Sequence, residues 1–208
     1  MSVISIQKMG ITDFGTDAIV NAANTQLAPG AGVCGAIFKA AGYDELDAAC
    51  KKIGGCKTGK AVITPGFNLL AKHVIHTVGP IWNGGSNNEP QLLYSAYKQL
   101  LFVARDNKLH SITFPLISAG IYGYPIDKAW RKALQACADF IMEHEDDYYA
   151  IIFAVLDQKI MDAGVKEMRN LLSDNKYKDF EGFSNARDIR PWFINALDKV
   201  MELTMQRQ

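Results

Sequence analysis

Apolar positions along this chain fall into short runs, and the period of the runs alternates between two and about three and a half. Residues 3–7, 18–22, 61–64 and 73–78 are rich in β-branched side chains and read as strands. Residues 112–117 and 150–156 are almost wholly apolar over a strand's length, which predicts strands covered on both faces. Helical spacing fills the intervals. It predicts helices over 35–41, 44–53, 90–105, 126–143 and from about 161 to 172. In the third of these Leu93, Tyr97, Leu100, Leu101 and Ala104 form one stripe; in the fourth, Trp130, Ala133, Leu134, Cys137, Phe140 and Ile141 do. Pro65-Gly66 predicts a turn between the third and fourth strands.

Strands alternating with helices predict an α/β sandwich, a largely parallel sheet with helices on both faces. Ligands of such sheets bind beyond the carboxyl ends of the strands, so the loops that follow strands are the place to look for chemistry. Residues 1–172 read as one domain. Beyond it, residues 174–179 are polar and read as a linker, and Arg190-Pro191-Trp192 opens a C-terminal helix with Pro191 in its first turn. Ile194, Leu197, Val200, Met201 and Met205 give that helix an apolar stripe. The stripe suits packing on the domain itself or holding a partner.

Composition narrows the function classes. Twenty-two basic residues balance 22 acidic ones, so no net field draws the chain to duplex DNA. No apolar run approaches the roughly 20 residues that span a bilayer. The opening residues Met1-Ser2-Val3-Ile4-Ser5-Ile6 lack the pattern of a signal peptide, and the expected location is the cytoplasm, away from membranes. Cys34, Cys50, Cys56 and Cys137 form no CxxC pair and read as free thiols. His73 and His76 stand three apart in one strand and therefore face opposite sides of the sheet, so no metal site or other cofactor is expected.

Three loops carry candidate chemistry. Asn21-Ala22-Ala23-Asn24 follows a strand and leads through Pro29-Gly30-Ala31-Gly32-Val33-Cys34-Gly35 into a helix. Small residues there let backbone N–H groups approach an anion at a helix N-terminus, or serve only a tight turn. The loop has neither the Gly-Lys-Ser/Thr of a nucleoside-triphosphate loop nor a full GxGxxG. Ser118-Ala119-Gly120-Ile121-Tyr122-Gly123-Tyr124-Pro125 is a second small-residue loop before a helix, and the two together suit a diphosphate clamped from both sides, with Tyr122 over a sugar or base. Asp157, after the last strand, reads either as rim of the same cleft or as a helix cap.

On these residues the chain resembles the macrodomain family, most of all its MacroD-type and viral branches. The resemblance rests on Asp17-Ala18-Ile19-Val20-Asn21-Ala22-Ala23-Asn24, residues 30–42, Thr58-Gly59-Lys60-Ala61, His73-Val74-Ile75-His76-Thr77-Val78-Gly79-Pro80 and residues 117–125, correctly ordered. It implies a three-layer α/β/α sandwich with a mixed, largely parallel sheet, here with a C-terminal helical extension. It also implies a cleft for ADP-ribose and, in many members, removal of mono-ADP-ribose from proteins or deacetylation of O-acetyl-ADP-ribose. By position, Ile11 is then expected by the adenine and Asn24 at the distal ribose, with Ala22 also among the ligand-binding residues. Gly30, Gly32, Val33, Cys34 and Gly35 fall along the diphosphate. Ser118, Gly120, Ile121, Tyr122 and Gly123 make the facing loop, and Asp157 falls near the adenosine. Two positions depart from the family pattern. Gly10 stands where an acidic residue commonly binds the adenine amino group, with Asp13 nearby, and Cys34 stands where many MacroD-type hydrolases carry an aspartate. Viral members with a small apolar residue there are still described as hydrolases, with the substrate phosphate assisting the water.

Three functions follow as expectations. One is hydrolysis of ADP-ribosyl derivatives, with Asn24 orienting the ribose, Cys34 as a further candidate, and substrate-assisted attack by water. A second is non-catalytic reading of ADP-ribose or a related nucleotide, free or on a modified protein. The third is an interaction module acting through the C-terminal helix.

Overall fold

Six strands and five helices alternate in the computed structural model, which describes residues 2–184. They are β1 (Val3–Lys8), β2 (Ala18–Ala22), α1 (Gly32–Ala41), α2 (Tyr43–Ile53), β3 (Ala61–Pro65), β4 (His73–Thr77), α3 (Glu89–Asp106), β5 (Ser111–Phe114), α4 (Ile126–Glu143), β6 (Ala150–Val155) and α5 (Gln158–Leu172). A single 3-10 turn, Ile11–Asp13, follows β1. The helix expected from Pro191 onward lies outside the described residues.

The strands form one sheet in the order β1-β6-β5-β2-β4-β3, parallel throughout except for the antiparallel edge pair β3–β4. The period-2 alternation of each strand assigns its side chains to one of two cores. Ala18 and Val20 of β2, with Ile151, Phe153 and Val155 of β6, join the stripes of α3, α4 and α5. Ile19 and Val74, with Ile152 and Ala154, face α1 and α2. All six residues of β6 are buried, as its unbroken apolar run predicts for a strand inside the sheet. The result is the expected three-layer α/β/α sandwich.

Three elements differ from expectation; of these, α5 begins at Gln158, ahead of the start expected near 161, because Asp157 caps it. The strand predicted over 112–117 starts at Ser111 and stops at Phe114. Pro115 has no N–H to give the ladder, so the apolar residues Leu116 and Ile117 belong to the following loop. Helix α1 begins at Gly32, ahead of the Gly35 start that the sequence suggests, because glycine's poor helix propensity hides its first turn.

Residues 174–179, polar enough to read as a linker, lie against the domain. Tyr177 is buried, and its hydroxyl donates to Asp139 Oδ1 of α4 at 2.9 Å. Lys176 Nζ stands 2.7 Å from the same oxygen, and Tyr94 of α3 donates to Asp139 Oδ2 at 2.7 Å. A buried carboxylate on α4 thus gathers donors from α3 and the tail. Beyond it the chain runs beside β1: Ile4 N–H donates to the Gly182 carbonyl at 2.7 Å and Ser184 N–H to the Ile4 carbonyl at 2.8 Å. This short parallel addition covers part of an edge strand, a place where unpaired backbone groups otherwise face solvent.

Candidate functional site

Strands β5, β2 and β4 are neighbours, and their carboxyl ends lie side by side. The loops leaving them enclose a cavity of about 310 Å³. The β2–α1 loop supplies Ala22, Ala23, Asn24, Gly30, Ala31, Gly32, Val33 and Cys34; the loop after β5 supplies Pro115, Leu116, Ile117, Ser118, Gly120, Ile121 and Tyr122; Gly79 comes from the loop after β4. Among the described residues no charged side chain lines it. Affinity for an anion here rests on backbone dipoles and neutral donors.

Each wall has its own support. In the first, Asn24 closes a tight loop: its Nδ2 donates to the Ala28 carbonyl at 2.9 Å and its Oδ1 accepts from the Ala28 N–H at 3.0 Å. A carboxamide has two hydrogens and two lone-pair directions, so Asn24 keeps one donor and one acceptor site beyond this clasp. Helix α1 then starts with Ala31 at its N-cap and no side chain capping it. The N–H groups of its first turn have no partner within the helix, and Ala31, Gly32, Val33 and Cys34 all border the cavity. Cys34 is 5% exposed, packs with the α1 and α2 core, and places its Sγ 3.9 Å from the Ala28 carbonyl.

In the second wall the base is fixed by Tyr97 of α3. Its buried hydroxyl accepts from the Ile117 N–H at 2.9 Å and donates to the Pro115 carbonyl at 3.3 Å. Ser118 follows in the left-handed region, φ 65°, which is uncommon for a residue with a Cβ. It is buried, and its Oγ has no hydrogen-bond partner among the described residues. The loop closes with Gly123 N–H on the Gly120 carbonyl at 2.9 Å and Tyr124 N–H on the Ser118 carbonyl at 3.0 Å.

A buried polar cluster underlies β2. His76 Nδ1 accepts from Asn21 Nδ2 at 3.1 Å, which leaves the ring hydrogen on Nε2 to be donated to Thr64 Oγ1 at 2.9 Å. Burial pushes the His76 imidazole down to about 4, so it is neutral at physiological pH. Burial, together with the charge of Asp47, pushes the nearby Cys50 thiol up to about 11. The four cysteines are free and buried, and no group of three or more metal-ligating side chains exists among the described residues. Nor is any helix among them long and apolar enough to cross a membrane.

Of the residues expected at a site, Ala22, Asn24, Gly30, Gly32, Val33, Cys34, Ser118, Gly120, Ile121 and Tyr122 are brought together around the cavity. Ile11, Gly35, Gly123 and Asp157 are not on its wall. Ile11 is buried in the α1–α2 core. Gly35 sits where a Cβ would stand 2.6 Å from the Gly30 carbonyl, a close approach that shapes the loop from behind. Gly123 turns outward. Asp157 is the N-cap of α5, its Oδ1 accepting from the N–H groups of Lys159 and Ile160 at 2.6 and 3.2 Å. The Asp13 carboxylate packs beside Gly10, 2.6 Å from where a Cβ would be. Sequence reasoning did not assign Ala23, Ala31, Gly79, Pro115, Leu116 or Ile117. Gly79-Pro80 directly after a predicted strand was the available signal for Gly79.

Residues 20–133 match the family model described as Macro domain. The chain is 52% identical over 138 residues to an O-acetyl-ADP-ribose deacetylase of Salmonella typhimurium, covering 64% of this chain and 76% of that protein. Among solved structures it is similar to the Oceanobacillus iheyensis macrodomain with ADP. The identity is 38% and the TM-score 0.76, over 81% of this chain and 90% of that one. It is also similar to the Trypanosoma brucei macrodomain in complex with ADP-ribose, at 38% identity and TM-score 0.73, over 78% and 68% of the two chains.

Proposed function

We propose that this chain, which belongs to the Macro domain family, binds ADP-ribose in the cavity between the β2–α1 and β5–α4 loops and hydrolyses ADP-ribosyl esters such as O-acetyl-ADP-ribose. The observation that carries the reading is the pairing of unsatisfied donors around one cavity. The first-turn N–H groups of α1 border it on one side; on the other lies the loop of Ser118, whose hydroxyl is buried and unpartnered. A diphosphate supplies acceptors for the helix N–H groups, and for the hydroxyl once Ser118 turns toward it. The spare donor and acceptor of Asn24 suit a ribose hydroxyl, and the Tyr122 ring suits the sugar's open face. The deacetylase relative and the two ligand-bound macrodomains support the same ligand class.

For the reaction, the proton acceptor is the substrate itself, a reading supported by a cavity wall that carries no Asp, Glu or His side chain among the described residues. Water adds to the acetyl carbon while a phosphate oxygen takes its proton. The tetrahedral intermediate then expels the ribose oxygen, which recovers a proton, and acetate leaves. Donors already in place for the ligand need no reorganisation as charge develops. Cys34, tucked against Ala28, serves as a small wall residue in this scheme.

A second reading, that the chain is a non-catalytic reader of ADP-ribose, is favoured by one observation: a thiol where a carboxylate would activate water. Calorimetry with ADP-ribose and a deacetylation assay with O-acetyl-ADP-ribose separate the two. Binding with turnover above an Asn24→Ala control supports the hydrolase. Binding without turnover supports the reader. No binding at millimolar ligand removes both.

A further inference from the structure

Residues between β4 and α3 adopt no regular structure, yet they are organised by one side chain. Glu89, at the start of α3, turns its carboxylate back over the loop. Its Oε1 accepts from the N–H groups of Asn83 at 2.9 Å and Gly85 at 3.1 Å, and its Oε2 from that of Asn87 at 2.5 Å. The residue is buried. Burial alone raises a carboxyl; here the N–H groups of Glu89 itself, Asn83, Gly85 and Asn87 outweigh it and hold the group below the usual carboxylate range. The carboxylate is therefore fully committed to the shape of this loop.

The loop in turn grips Trp82. Gly85, at φ 91°, lies so close under the indole that a Cβ there would stand 2.8 Å from the ring. The indole also packs on Tyr124, ring centroids 4.6 Å apart, with Lys128 Nζ 5.1 Å from the indole centroid. Finally the backbone N–H of Trp82 donates to the Tyr122 carbonyl at 2.9 Å. Tyr122 lies on the cavity wall, in a loop held at its base by Tyr97 and beyond that by its own short turns. A continuous chain of contacts thus runs from Glu89, through Gly85 and Trp82, to Tyr122.

We propose that Glu89 is a positioning residue for the ligand site: it fixes the 83–87 loop, which sets Trp82, which holds the Tyr122 side of the cavity in place. Glu89 touches no ligand and acts through Trp82. Its functional consequence rests on the reading of the cavity as an ADP-ribose site; the mechanical link to Tyr122 does not.

Glu89→Gln tests it in the full chain. The amide keeps one acceptor but turns an NH₂ group toward the Asn87 N–H, a donor against a donor. Hydrogen exchange is followed in peptides covering 82–88 and 118–124, and ADP-ribose affinity is measured by calorimetry. The expected result is exchange faster by about threefold or more in both segments, and affinity weaker by about tenfold. Faster exchange at 82–88 with 118–124 unchanged overturns the proposal, since Glu89 then only braces its own loop. If the wild type binds no ADP-ribose, the ligand reading falls while the exchange result still decides the link. Should Glu89→Gln fail to fold, Gly85→Ala applies the same test, because it displaces Trp82 with the carboxylate intact.

Discussion

Gly79 and Ser118 meet at the wall of the cavity, where a methyl group on Gly79 would stand 2.2 Å from Ser118 Oγ and 2.6 Å from Ile117 Cγ2. The β4 end is therefore a surface against which the left-handed Ser118 is seated. Gly79→Ala forces Ser118 and Ile117 to move. The expected cost is about 1–3 kcal/mol of stability, as for other overpacked sites. Because the shift falls on the wall, ADP-ribose affinity is expected to drop by at least about tenfold. Urea denaturation and calorimetry check the two effects; unchanged affinity in folded protein would detach Ser118 from the ligand.

Cys34 gives a sharp chemical test. If water is the nucleophile and a phosphate oxygen the base, Cys34→Ser keeps the size and removes little. Turnover of O-acetyl-ADP-ribose should stay within about threefold of wild type, well under the roughly hundredfold or greater loss expected on removing a nucleophile. A loss of that larger size, with an acyl adduct on the wild-type thiol by mass spectrometry, would make Cys34 the nucleophile.

His76 predicts the acid response of the fold. Its folded pKa of about 4 lies below the ordinary histidine value of 6.5, so between these pH values the unfolded chain binds a proton that the native state does not. Stability is whole above pH 6.5 and falls as the pH drops toward 4, by about 3 kcal/mol for a shift of this size. The carboxylates Asp17 and Asp139, both held below the usual value, contribute only at lower pH. Urea midpoints at pH 7 and pH 5 should differ, and His76→Gln should flatten that difference. A wild-type midpoint constant over this range would show that the imidazole charges in the native state.

The tail yields a test of where the domain ends. A chain stopped after Leu172 loses Tyr177 and Lys176, two of the three donors to Asp139, and uncovers β1. It should be less stable than the full chain by about 2 kcal/mol or more, the scale of lost bonds to a charged group. A chain stopped after Ser184 keeps these contacts and should be the more stable of the two truncations. Equal midpoints for all three would make residues 173–184 the linker that their polarity suggests.

Much of the fold was legible because the signals are local. Helix α4 occurs over the residues its stripe predicts, Ile126–Glu143, since Trp130, Ala133, Leu134 and Cys137 repeat at the helical period and Pro125 stands before it. The end of β5 was misread because apolar character alone does not separate a strand from a buried loop, and Pro115 decided it. Residues 174–179 read as a linker for the opposite reason: their polarity hides the fact that Tyr177 and Lys176 find a partner, Asp139, far away in sequence.

The site divides along the same line. The sequence by itself determined the alternating α/β architecture and the two small-residue loops in which Asn24, Cys34, Ser118 and Tyr122 stand, because small side chains after a strand and before a helix carry their meaning locally. Only the tertiary structure decided that β5, β2 and β4 end side by side, that Gly79 seats Ser118, that Asp157 caps a helix away from the cavity wall, and that Glu89 reaches Tyr122 through Trp82. Strand order and long-range contact depend on which apolar faces pack together, a choice made by the whole chain rather than by any stretch of it.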